Sequence, residues 1–238
     1  MPSPPNTVSP AALVNFVFRQ LPDDVVNELK DALHGGPHEA VISVIGGSAV
    51  AAGQDTVATG LVQNLAEDSS LPLPHGVGKG GYSIMVGDAT FEASAQSPEA
   101  GGADAAANTF MTVSNADFII KFESSDASQQ ANDASASSEL SYIALNINGW
   151  SPAGGPVVIE LDQSGHQVRP DEQQPSDGNY AAVIATADAH GADIMTATQT
   201  IALTVANQFS FVTGIGGCLR KSQTGKSETR VRSQVGGD

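Results

Sequence analysis

Residues 194–219, IMTATQTIALTVANQFSFVTGIGGCL, carry the longest regular pattern in the chain and therefore decide the fold class. None of these residues is charged. Apolar side chains alternate with hydroxyl side chains, and this period of two is typical of a β-strand. One side of the extended segment carries Ile201, Leu203, Val205, Phe209 and Phe211, and the other carries Thr198, Thr200, Thr204 and Ser210.

Two interpretations of this segment stay open. The first is a core strand of a β-sheet, bent near Asn207. The second is a β-hairpin that inserts into a membrane, because a membrane-spanning strand also needs a long uncharged apolar face. A transmembrane helix fits less well, since Gln199, Asn207, Gln208 and several hydroxyl groups interrupt the apolar stretch.

Seven segments upstream show shorter stretches of the same alternation and predict strands. They are 82–86, 90–95, 110–114, 118–123, 140–147, 157–161 and 180–187. Short strands separated by Gly, Pro and Ser predict an antiparallel sandwich or a barrel-like module, with a hairpin turn at 162–165. The Ala- and Ser-rich inserts 96–108 and 124–139 are predicted to be surface loops.

The first 35 residues instead predict a short helical hairpin, or one helix kinked at Pro22. Ser9 is a suitable N-cap, Pro10 fits the first helical position, and Pro22 divides the apolar pattern into two stripes. A short strand at 40–45 follows, and a further helix is predicted over 48–67 from the spacing of its apolar residues. We expect the two N-terminal stripes to mediate self-association, through Leu13, Val17, Phe18, Leu21, Val25, Leu29 and Leu33.

The predicted fold is therefore α+β, with a short helical N-terminal region before an antiparallel β-rich module. The regions expected are a helical part at 1–70, a linker at 71–81, the β-rich module at 82–217 and a basic tail at 218–238. The linker is assigned from its Gly and Pro content. The tail is polar, lacks apolar periodicity and is expected to be disordered.

Charge excludes one class of function. The 238 residues include 26 Asp and Glu but only 10 Lys and Arg, giving a net charge of −16. Charged residues make up 15% of the chain, so its acidity comes from missing bases. This composition argues against a nucleic-acid-binding protein, because the affinity of such proteins depends on Lys and Arg. Five of the ten bases lie in residues 220–238, opposite in charge to the rest of the chain.

No motif identifies catalysis, a cofactor or a metal. The run Gly76–Gly81 has dinucleotide-motif spacing, but it precedes a predicted strand where that motif needs a helix. The chain has one cysteine, Cys218, which excludes an internal disulfide. Its basic neighbours Arg220 and Lys221 would favour the thiolate form of its side chain. We predict no catalytic, cofactor-binding or metal-binding residue, and we expect Cys218 to be a bystander or to form an intermolecular disulfide.

These observations favour a non-enzymatic structural subunit that forms a homo-oligomer or polymer, with itself as partner. The alternative is a secreted or delivered toxin that inserts residues 194–219 into membranes. The N-terminus has no basic residue before Arg19, which disfavours a signal peptide. The sequence thus predicts a cytoplasmic protein or one exported by a signal-independent route.

Overall fold

Long β-strands account for almost every residue that the computed structural model describes, namely 33–34, 41–69, 81–147, 151–152, 156–162, 178–190 and 194–220. The strands are β1 (Leu33–His34), β2 (Val41–Ala52), β3 (Asp55–Ser69), β4 (Tyr82–Gln96), β5 (Asp104–Ser114), β6 (Phe118–Gln129), β7 (Asp133–Ile147), β8 (Ser151–Pro152), β9 (Val157–Asp162), β10 (Asn179–His190), β11 (Ile194–Val205) and β12 (Phe209–Arg220).

Two large sheets form the body of the fold. The six-stranded sheet has the order β10-β3-β4-β7-β6-β9, and the four-stranded sheet has the order β11-β12-β2-β5. Neighbouring strands are antiparallel, except that β10 is parallel to β3 and β9 is parallel to β6. Strands β1 and β8 form a separate antiparallel pair.

The two sheets pack face to face as a sandwich. Strand β12 contacts β3 and β10, β2 contacts β3 and β4, and β5 contacts β4 and β7. The four-stranded sheet therefore covers four strands of the larger sheet, and β6 and β9 extend beyond it at the β5 side. This arrangement leaves one face of the four-stranded sheet pointing away from the sandwich core.

Small side chains let the two sheets approach closely. Many core residues are alanines, and the ring of Phe91 of β4 lies against glycines of both sheets. A Cβ atom placed on Gly47 or on Gly60 would lie 2.5 Å from that ring. Hydrogen bonds also join the sheets, as between the hydroxyl groups of Thr56 and Ser210 and of Thr109 and Ser138, both 2.8 Å apart.

The predicted α+β class is wrong, because the described residues form an all-β fold without a helix. The helix predicted over 48–67 is the end of β2 followed by β3. In β3 the buried residues Ala58 and Val62 alternate with apolar residues on the opposite face, including Leu61. Apolar residues on both faces hide the period of two, and the remaining spacing resembles a helix.

The two predicted surface loops are strands as well. The insert 96–108 contains the first part of β5, and the insert 124–139 contains parts of β6 and β7. Ala134, Ala136 and Ser138 are buried against the facing sheet, where their small size suits the narrow gap. The other predicted strands are confirmed, with 82–86 and 90–95 joined in β4.

Several predictions fall outside the described residues. The helices predicted within residues 9–35 lie outside them, except for Leu33 and His34. So do most of the linker, the turn after Asp162 and the tail beyond Arg220. Leu33 and His34, at the end of the predicted second helix, are in β1.

Candidate interaction surface

The face of the four-stranded sheet that points away from the six-stranded sheet is called the outer face here. The ladders place the even-numbered residues of β2 and β5 on it, together with the odd-numbered residues of β11 and β12. The opposite set points into the sandwich, as shown by the buried residues Val212 of β12 and Ala49 of β2. Antiparallel pairing fixes this division, because opposed residues always share a side.

The outer face is apolar and almost free of charge. Its one charged residue is Asp104, at the corner where β5 begins. Several large apolar side chains on it are exposed, with Leu203 50%, Ile201 48% and Met195 69% accessible to solvent. The patch continues across the neighbouring strands through Phe110, Ile42 and Val50. Exposed apolar patches of this extent mark interaction surfaces in soluble proteins.

Polar groups at the centre of the outer face already have partners within the sheet. The Ser48 hydroxyl donates to Asn108 Oδ1 at 2.7 Å, and the Ser48 backbone N–H donates to the same oxygen at 3.1 Å. The Thr213 hydroxyl donates to the carbonyl oxygen of Gly47 at 3.0 Å. These groups would keep their partners if the face were covered, which lowers the cost of removing water from this part of it.

The five residues singled out from the alternating segment all lie on the outer face. Ile201, Leu203 and Val205 belong to β11, where they are opposite Thr213, Phe211 and Phe209 of β12. A turn at 206–208 joins the two strands, with Asn207 in the left-handed conformation at φ 55°. None of the five is part of the buried core, so the segment is a hairpin that presents its apolar side outwards.

The other predicted association residues cannot be placed on this surface. Leu13, Val17, Phe18, Leu21, Val25 and Leu29 lie outside the described residues. Leu33 lies in β1, opposite Pro152 of β8.

Sequence reasoning missed the contribution of β2 and β5 to the outer face. Ile42, Val44 and Val50 occupy alternate positions in β2, and Phe110 follows the same rule in β5. The signal was weak because small residues separate these side chains. The pairing of β2 with β5 shows that Phe110 lies opposite Gly46. A Cβ atom on Gly46 would be 3.1 Å from the Phe110 ring.

A contrasting acidic region lies on the side of the six-stranded sheet away from the sandwich core. Asp88 of β4 and Glu139 of β7 lie on this side, and a depression of about 240 Å³ there is lined by Glu139, Phe122 and Ser141, among others. Burial raises the pKa of Asp88, and the negative charge of Glu139 raises it further. Burial and the nearby Glu139 charge thus both favour a proton on Asp88.

The remaining motif residues show no assembled chemical site in the part of the chain described. No group of three or more His, Cys, Asp or Glu side chains is arranged there to hold a metal ion. Cys218 is buried, which raises the pKa of its thiol to about 11, with a further contribution from Asp188. The thiolate expected from Arg220 and Lys221 is therefore disfavoured, and burial keeps the sulfur from another chain.

Comparisons of the chain with protein families, with curated proteins and with solved structures find no match. The described residues also contain no helix that is long and apolar enough to cross a membrane. Inferences about function thus depend on the chemistry of the surfaces, of which the outer face is the most distinctive.

Proposed function

We propose that this protein is a non-enzymatic structural subunit that associates with copies of itself through the outer face. The observation that carries the proposal is the exposure of Met195, Ile201 and Leu203 on a sheet face whose single charge is at a corner. Apolar surface of this kind gains free energy when a partner removes it from water.

The size of the outer face supports a stable contact. Four strands of up to 12 residues, spaced about 4.8 Å apart with a rise of about 3.3 Å per residue, give a projected area of about 750 Å². A standard protein interface buries about 800 Å² on each partner. One such face meeting a second copy would therefore suffice for a dimer.

Charge supports a contact between copies at this place. Two molecules of net charge −16 repel each other over most of their surfaces. On the described part of the chain, the outer face is an extended region of weak repulsion, because its one carboxylate, Asp104, lies at its edge. Association there buries apolar groups without bringing many carboxylates together.

The test compares the mass of the particle in solution for the wild type and two variants. Leu203→Asp places a charge at the centre of the apolar part of β11. Ile184→Asp is the matched control, because Ile184 is 62% exposed on β10 of the other sheet. Chromatography with light scattering is expected to give a multiple of 24.2 kDa for the wild type and the control. Leu203→Asp is expected to reduce it to the monomer while the circular dichroism spectrum stays unchanged.

A wild-type mass of 24.2 kDa at every concentration tested would overturn the proposal. Equal loss of association in both variants would also overturn it, because the effect would then come from charge in general.

The hairpin of β11 and β12 also favours a second function, insertion into a membrane as a toxin. Each strand has 12 residues, which is enough to cross the hydrocarbon core, and 194–219 carry no charge. This function ranks second because β12 is hydrogen-bonded to β2 and its inner face is buried in the sandwich, so insertion requires those contacts to break. Dye release from lipid vesicles, lost in Leu203→Asp, would support it, and intact vesicles at micromolar protein would reject it.

A further inference from the structure

Among the described residues, strand β11 is an uncovered edge of the four-stranded sheet. Among the described strands it pairs with β12 alone, and its residues from Met195 to Thr204 are all exposed. It contains no charged residue, glycine or proline. Natural edge strands usually carry charges, prolines or bulges that prevent pairing with another chain. An edge without these features is suited to receive a further strand.

The opposite edge of this sheet is less accessible to a partner. Strand β5 packs over β7, and β6 and β9 of the larger sheet project beyond it. A strand added beside β5 would lie over that projection, which carries Lys121 and Glu123. At the β11 side, β10 is the last described strand of the larger sheet, and β11 lies beside it.

We propose that β11 pairs with β11 of a second copy in antiparallel orientation, about a twofold axis at Thr200. This inference rests on the proposed self-association and adds an edge contact to it, because pairing at β11 leaves the outer face free to meet another copy. The two four-stranded sheets then become one continuous sheet of eight strands. Twofold pairing of an identical edge is the simplest closed arrangement, because each copy gives and receives the same contacts.

The alternation along β11 restricts the register. The apolar residues of both copies share one side only if the numbers of opposed residues add to an even sum. With the twofold axis at Thr200, the numbers of any two opposed residues add to 400. Leu203 is then opposite the partner's Ala197, and Val205 is opposite the partner's Met195. On the other side, Thr196 is opposite the partner's Thr204, so hydroxyl groups meet hydroxyl groups.

This pairing also places the apolar strands of the outer face at the centre of the combined eight-stranded sheet. The outer face is richest in large apolar side chains on β11, β12 and β2, while its β5 positions include Asp104, Asn108 and Thr112. Joining the β11 edges puts the apolar strands at the centre of the combined face and the polar β5 strands at its two ends. A central apolar region with a polar rim is the usual anatomy of a protein interface.

Cysteine cross-linking of the full chain tests the geometry. Thr200→Cys puts a thiol at the axis, where residues opposed across an antiparallel pair have Cβ atoms about 5 Å apart. We expect a covalent dimer on mild oxidation or with a short bis-maleimide reagent. Wild type, whose Cys218 is buried, and Ser128→Cys, exposed on β6 of the other sheet, are the controls and are expected to stay uncrosslinked.

A mixture of the Thr196→Cys and Thr204→Cys proteins tests the register, and it should cross-link more strongly than either protein alone. Cross-linking between the Thr200→Cys and Thr109→Cys proteins, whose thiols both point to the inner side of the sheet, would show head-to-tail pairing of β11 with β5 and overturn the twofold arrangement. No cross-link from β11 while light scattering still gives an oligomer would overturn this pairing but leave self-association intact. A monomer by light scattering would overturn both.

Discussion

The hydroxyl group of Tyr142 donates a hydrogen bond to Asn64 Oδ1 at 2.8 Å, although β4 lies between their strands. The register places Gly87 of β4 between the two residues, and the ring of Tyr142 occupies the space where a Cβ of Gly87 would be. Asn64 Nδ2 donates to the carbonyl oxygens of Gly216 at 3.1 Å and Ser43 at 3.3 Å, in the facing sheet. The pair therefore ties three strands of one sheet to two of the other.

Removing the Tyr142 hydroxyl tests this buried network. Tyr142→Phe leaves a buried amide oxygen of Asn64 without that donor, so we expect the free energy of unfolding to fall by about 1–3 kcal/mol. Tyr180→Phe is the control, because Tyr180 is exposed on β10. Urea titrations of both variants give the difference, and equal stability of the two would contradict the role assigned to Tyr142.

The close packing of Gly47 and Gly60 around Phe91, called the Phe91 slot here, predicts that two glycine variants differ in stability. Gly60→Ala puts a Cβ 2.5 Å from the Phe91 ring. The ring has little room to move away, because Gly47 of the other sheet packs against it as well. We expect a loss of about 1–3 kcal/mol, the usual cost of overpacking a core. Gly217→Ala is the control, because the nearest atom to its Cβ is 3.8 Å away. Thermal or urea unfolding should separate the two variants, and comparable losses would contradict the slot.

Asp117 predicts a dependence of stability on pH. Burial raises its pKa to about 6 from the ordinary 3.8, although its carboxylate accepts a hydrogen bond from the N–H of Ile147. Between these values the folded chain holds a proton that the unfolded chain has released. The free energy of unfolding should therefore fall as pH rises through this window and level off above it.

Asp117→Asn isolates this effect from that of Asp88, whose pKa is raised in the same direction. The stability of the wild type relative to Asp117→Asn should decrease between pH 4 and pH 6, in chemical unfolding series at several pH values. Two parallel curves would show that Asp117 titrates normally.

Cys218 provides a probe of opening of the fold. Because burial raises its thiol pKa to about 11, little thiolate exists near neutral pH and the sulfur is shielded. We expect an aromatic disulfide reagent at pH 8 to label the native protein far more slowly than the urea-unfolded chain. Equal labelling rates would contradict the buried position of the thiol.

The sequence predicts the β-strands best where one face is apolar and the other is not, as in β11. It predicts them poorly where both faces are apolar or both are small. Leu61 and Val62 are neighbours on opposite faces of β3, and their combined pattern resembles a helix. Ala134 and Ala136 lack the bulk that usually signals a strand, yet their size is what the narrow core requires.

The candidate surface was predictable only in part, for a related reason. Alternation along one segment places Ile201 and Leu203 on the same side, but it does not say whether that side is the core or the surface. That distinction depends on which strand lies next to β11 and which sheet lies beneath it. The pairing of β11 with β12 is local, but the pairing of β12 with β2 joins residues far apart in the chain, and a single sequence does not contain it explicitly.

The pairing of β2 with β12 has a consequence for biosynthesis. The hydrogen bond from Thr213 to Gly47 spans 166 residues. A ribosome releases β2 early, yet its neighbour β12 exists only after residue 220 has been translated. The four-stranded sheet must therefore close after most of the chain has been made, and contacts between such distant segments form slowly. Until then β2 is a nascent strand lacking one neighbour, exposed to chaperones and to other newly made chains.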